Sequence, residues 1–248
     1  MKKINFYMFF IFISTATFAE KTIPIPNINI GVDQANSPEA LVTSLQILLI
    51  LTLLTLAPSI IIMSTSFVRI IIVLHFIRQA MGLQQMPPNQ VLVGLALFLT
   101  FFIMEPTFNE VLDNGINPYL NKDINRIEMF KKIEKPMKKF MLKQTRVKDL
   151  ELFLKASRIK KAPNSRSEIS IWIVLPAYLL SELTRGFEIG IIIFIPFIII
   201  DMIVATVLMS LGMMMLPPVM ISLPFKVLLF VMVDGWEILI ESLIKSFN

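Results

Sequence analysis

Between Ile189 and Leu216 the chain runs for 28 residues with a single charge, Asp201, and then meets Pro217 and Pro218. A run of that length exceeds the ~20 apolar residues with which a helix crosses a bilayer, and the paired prolines cannot continue a helix. From Val219 to Val233 the chain turns apolar again with Lys226 in its middle, and the tail Gly235 to Phe247 is amphipathic. The pattern predicts a membrane hairpin of two helices with LGMMMLPP (211–218) at its tip. With 55% of all residues apolar, the whole chain reads as a membrane protein.

The remainder divides by charge. Residues 1–19 have the form of a signal peptide: Lys2 and Lys3, an apolar stretch from Ile4 to Ile13, and a small-x-small site ending at Ala19. The alternative is an uncleaved anchor. Residues 20–42 read as a linker carrying Pro24 and Pro26, with a helix start signalled by Ser37-Pro38-Glu39. Residues 43–104 predict a hydrophobic helical hairpin: Leu45 to Met63 is near a span in length, Phe67 to Ile77 carries Arg69, and Gln84 to Asn89 is a breaker. Its last run, Val91 to Met104, is too short to cross alone.

Residues 105–170 hold 15 of the 23 Lys and Arg residues and 9 of the 18 acids, a net charge of +6. They predict a water-exposed, mainly helical basic domain, with turns at Asn114-Gly115, Pro136 and Pro163 and a helical apolar spacing from Phe140 to Leu154. Residues 171–248 are the C-terminal hairpin. A cleaved leader places the basic domain outside the cytoplasm. The excess of cytoplasmic Lys and Arg usual in short loops argues the reverse, but that bias governs loops beyond ~60 residues weakly, so the leader decides.

Chemistry-bearing motifs are missing from the sequence. It has no cysteine, one histidine (His75, in an apolar helical stretch and read as a packed residue), no Gly-rich phosphate loop and no His-Glu-x-x-His. The reading is therefore no enzyme, no catalytic residue, no metal and no cofactor. The net charge of +5 does not point to nucleic acid, because the cations are concentrated in one polar block.

Charges inside apolar runs carry the information instead, since such groups are costly and face a partner or a water-filled space. These are Arg69, Glu182, Asp201 and Lys226. A structural ion pair and an ion or proton path are both open. Counted back from Pro217 at 1.5 Å per residue, Asp201 lies ~24 Å from the tip and Lys226 ~12 Å. A direct bond within one hairpin is thus not expected unless the tip is a longer loop, and neighbouring copies would bring the two level more easily. Met213, Met214 and Met215 either fill a core or, with several copies around an axis, form a ring of flexible thioethers.

The stretches SFVRIIIVLHFIRQAMGLQQMPPNQVLVGLALFLTFF (66–102), FMLKQTR (140–146), LPAYLLSEL (175–183) and GIIIFIPFIIIDMIVATVLMSLGMMMLPPVMISLPFKVLLFVMVDGW (190–236) resemble the FliP family of flagellar export-gate proteins. The resemblance implies an all-α integral membrane fold of kinked hairpins with an extracytoplasmic helical subdomain. It also implies a homo-oligomer that assembles with FliQ and FliR, works with FlhB and FlhA in the inner membrane at the flagellar basal body, and passes unfolded exported flagellar proteins. Carried over by position, it gives a methionine gasket at Met213, Met214 and Met215, an important acid at Asp201 and its basic partner position at Lys226. Glu182 matches the family's Ser-Glu-Leu acid, but the lysine common two residues later is Thr184 here, with Arg185 adjacent, so the resemblance does not fix an ion pair at that place. The alternatives are an injectisome gate homologue, a small ion or solute transporter using Asp201 and Lys226, and a purely structural basal-body anchor.

Overall fold

The computed structural model describes residues 38–83, 85–157, 165–213 and 215–247. The leader 1–19, the linker up to residue 37, Pro163 and Met214 lie outside the described residues. Among those described there is no strand, and the chain is an all-α membrane protein with three helices long and apolar enough to cross a bilayer. The chain divides into two compact units at Ile50.

Helix α1 (Pro38–Met63) starts at the proline that the sequence marks as a first helical position, so residues 38–42 of the expected linker are helical. Its large apolar side chains from Val42 onward are mostly solvent-facing, as suits a helix whose surroundings are hydrocarbon or other chains. It ends at Ser64-Thr65-Ser66, where the Thr65 carbonyl accepts a 2.7 Å bond from the buried Tyr178 hydroxyl.

Helix α2 (Phe67–Ala80) is the centre of the second unit. Ile70, Val73, Leu74 and Ile77, at helical spacing, are all buried. Gly82 ends the helix with φ +76°, and its N–H and that of Leu83 bond the Gln79 and Arg78 carbonyls, a left-handed cap that a residue with a Cβ adopts poorly. Helix α3 (Asn89–Val111) then runs through the expected boundary at residue 104. Hydropathy alone stops at Glu105-Pro106, but a proline costs a helix one backbone bond rather than its existence. A π turn (Leu112–Ile116) and the short α4 (Asn117–Leu120) prolong the same stretch, so the run that looked too short becomes part of a 32-residue candidate span.

Asn114-Gly115 therefore lies in a widened helical turn and not in a loop. The missing Cβ of Gly115 leaves room for Ile133, whose Cγ1 would be 2.8 Å from it. Pro136 is likewise no turn: it is buried inside α5 (Arg126–Gln144), where packing outweighs the lost bond. Asn125 caps α5, its Oδ1 accepting from the Glu128 N–H at 2.9 Å. The periodic stretch 140–154 is broken at Thr145-Arg146 and continues as α6 (Val147–Ala156).

Helix α7 (Ile171–Ser210) is continuous over 40 residues, about 60 Å at 1.5 Å per residue, despite Pro176 and Pro196. Its first part closes a small core with Met141 and Leu150. Its middle packs on α2, with Gly186 against Ile72 and Gly190 against Phe76. A Cβ on Gly190 would meet the Phe76 ring at 2.5 Å. Gly190→Ala is therefore expected to destabilise the unit by roughly 1–3 kcal/mol, and Phe76→Leu in the same chain to recover part of the loss; thermal unfolding of the purified chain in detergent reads both. Helices α8 (Pro218–Met232) and α9 (Gly235–Lys245) complete the fold, with Phe230, Leu239 and Leu243 joining the core of α2.

Candidate functional site

Two ion-pair centres and one turn hold the site residues that the sequence singles out, apart from Met214, which lies outside the described residues. In the first centre, Lys226 Nζ donates to Asp201 Oδ2 at 2.6 Å and to the Ala80 carbonyl at 3.1 Å, while the Ser222 hydroxyl donates to Asp201 Oδ1. Ser222 and Lys226, four apart on α8, present one face to α7. The carbonyl that Lys226 reaches ends α2, where the helix dipole favours a cation. The Lys226 side chain is 3% exposed and that of Asp201 27%.

This pair forms within one chain, contrary to the depth count from the sequence. That count treated every residue back from Pro217 as helical. Helix α7 actually ends at Ser210 and α8 begins at Pro218, so Asp201 and Lys226 stand nine and eight residues from their helix ends, nearly the same depth.

The second centre surrounds Arg69 on α2. Its guanidinium makes a two-pronged ion pair with Glu182 on α7, Nε to Oε2 at 3.0 Å and Nη2 to Oε1, and both side chains are 0% exposed. Nη2 also donates to Gln144 Oε1 at 3.1 Å, and Nη1 to the Ser246 carbonyl and hydroxyl at 2.7 and 3.0 Å. The guanidinium carbon lies 3.8 Å from the Phe247 ring centroid, and Gln144 Nε2 bonds the Phe247 carbonyl at 2.8 Å. Glu182 thus finds its cation on α2. Arg185, which the sequence puts beside it, bonds Gln144 instead at 3.2 Å. Gln144, Ser222, Ser246 and Phe247 carried no signal in the sequence, because neutral polar or aromatic residues in helices and at their ends are ordinary.

A third polar link joins α6 to α7. Ser181 Oγ donates to Asp149 Oδ2 and accepts from the Arg146 N–H, and Arg146 Nε donates to the same carboxylate at 2.7 Å. Burial pushes the Asp149 carboxyl up, but the bonds from Arg146 and Ser181 and the charges of Arg146 and Lys148 outweigh it and hold it below the ordinary value.

The methionine turn follows from the end of α7. Gly212, at φ +73°, and Met213 donate their N–H groups to the carbonyls of Met209 and Leu208, the double bond pattern that closes a helix, and Pro217 commits the chain to the next one. Met213 is 44% and Met215 99% exposed. The described residues contain no cluster of three metal-ligating side chains.

These features define a class: an all-α membrane protein whose helices are tied together by buried, mutually satisfied charges. A model of the FliP family matches residues 50–243. The flagellar biosynthetic protein FliP of Bacillus subtilis is 52% identical over 218 residues, covering 88% of this chain and 98% of its own length. That of Aquifex aeolicus is 46% identical over 225 residues, with 90% and 92% covered. That of Borreliella burgdorferi is 45% identical over 253 aligned positions, with 99% of both covered. The chain belongs to the FliP family.

Proposed function

We propose that the chain is a non-enzymatic, pore-forming subunit of the flagellar type III export gate. Copies pack around an axis with FliQ and FliR, alongside FlhA and FlhB, in the inner membrane at the basal body, and conduct unfolded flagellar proteins. The basic domain, residues 105–170, faces away from the cytoplasm. The turns at Met213, Met214 and Met215 meet on the axis and seal the lumen against small ions. Soft, unbranched thioethers suit that task, since they close irregular gaps and still yield to a passing chain.

One observation carries this reading beyond family membership. Met215, at 99% exposed, projects from an uncharged turn whose two helices are held in register by the Asp201–Lys226 pair. A large apolar side chain in that position needs a cover, and equivalent turns of other copies supply one. Use of Asp201 and Lys226 as transport charges is less favoured, because each already has the other and a second polar partner. Replacing Met213, Met214 and Met215 together by alanine is expected to increase small-ion leak through the assembled complex severalfold; a purely structural anchor predicts no change. Conductance of the complex in planar bilayers distinguishes the two.

A further inference from the structure

The chain has 16 methionines and no cysteine, so thioethers are its only sulfur. Among the described residues their exposure differs widely. Met81, Met104 and Met141 are 3%, 0% and 1% exposed, whereas Met213, Met215 and Met220 around the turn are 44%, 99% and 64% exposed. Among the described residues Met215 is the most exposed large apolar side chain. Of the other exposed methionines, Met63, Met202, Met209 and Met232 lie on α1, α7 and α8, whose apolar surfaces hydrocarbon or packed protein covers in a membrane, and Met86 lies in the bend between α2 and α3. Like that bend, the turn stands outside any helix, between Ser210 and Pro218, and it carries the fully exposed Met215.

We infer that Met213 and Met215 are sites of reversible two-electron oxidation by peroxides, and that oxidation loosens the seal; the second half rests on the function proposed above. In the step, a sulfur lone pair attacks one oxygen of hydrogen peroxide. The O–O bond breaks as the S–O bond forms, and the proton of the transferred oxygen passes to the departing one, which leaves as water. The sulfur gives up two electrons and the peroxide accepts them. Neither a thiolate nor a metal is needed. The product sulfoxide is polar and a strong hydrogen-bond acceptor, so a ring that excluded water with apolar sulfur now holds it. Methionine sulfoxide reductases, one for each sulfoxide epimer, return the thioether with two electrons and two protons from a dithiol, which becomes a disulfide as the oxygen leaves as water.

Membranes containing the assembled full-length complex are treated with limiting hydrogen peroxide and sampled for peptide mass spectrometry. Met213 and Met215 are expected to gain oxygen at least roughly tenfold faster than Met104 and Met141, because turns that meet on an axis cover one another but still face the lumen, where peroxide reaches them. Ion leak should rise in step and fall again after treatment with both reductases. The variant Met213→Leu, Met214→Leu, Met215→Leu keeps apolar bulk without sulfur and should give no leak response to peroxide. Equal rates at the turn and the buried methionines would overturn the proposal. So would an oxidised turn that does not leak in a complex whose untreated alanine variant does; an alanine variant that never leaks would instead refute the seal itself.

Discussion

Glu182→Ala is expected to cost about 3–5 kcal/mol of stability, the range for removing one partner of a buried ion pair, because Arg69 would remain at 0% exposure without its carboxylate. Gln144 and Ser246 would still accept from the guanidinium, but neither carries a charge to balance it. The reciprocal change, Arg69→Ala, should be as severe, since it strands the carboxylate. The joint replacement Arg69→Met with Glu182→Leu removes both charges at similar volume and should recover most of the loss. Thermal unfolding in detergent of the unaltered chain, Arg69→Met, Glu182→Leu and the joint variant forms a double-mutant cycle. Additive losses in the double variant would show that the two side chains do not act as a pair.

The second large effect is asymmetric. Asp201→Ala should be more damaging than Lys226→Ala, although the two residues form one pair. Without Asp201, the Lys226 ammonium stays at 3% exposure with only the Ala80 carbonyl, whereas without Lys226 the Asp201 carboxylate, 27% exposed, keeps Ser222 and gains water. The expected losses are about 3–5 kcal/mol for the first and about 1–3 kcal/mol for the second. The exchange Asp201→Lys with Lys226→Asp should recover part of either loss because the bond lies within one chain. Equal damage from the two single changes, with no recovery on exchange, would contradict the geometry.

Much of this was legible in the residues, and what was not has physical reasons. The hairpin 171–248, the breaker before Asn89 and the buried charges follow from hydropathy and from the cost of ions in apolar surroundings. Pro136 misled, because proline marks a weak point in a helix and tertiary packing decides whether it is an end; Pro106, Pro176 and Pro196 likewise lie inside helices. The depth mismatch of Asp201 and Lys226 arose from counting turn residues as helix. Which cation meets Glu182 could not be read at all: Arg69 is 113 positions away, and only the close packing of α2 on α7, permitted by Gly186 and Gly190, brings it there. Of the methionine turn, its position was clear from Pro217-Pro218, while the full exposure of Met215 needed the folded chain.

A chain without cysteine permits a direct test of where that turn goes. Met215→Cys is placed in the assembled complex and treated with a short bis-maleimide, and the products are separated by size under denaturing conditions. If the turns meet on a common axis, ladders of covalently joined copies form at Met215→Cys and not at Leu54→Cys on the exposed face of α1. Labelled monomers at Met215→Cys, with no joined copies, would contradict a seal made by these turns.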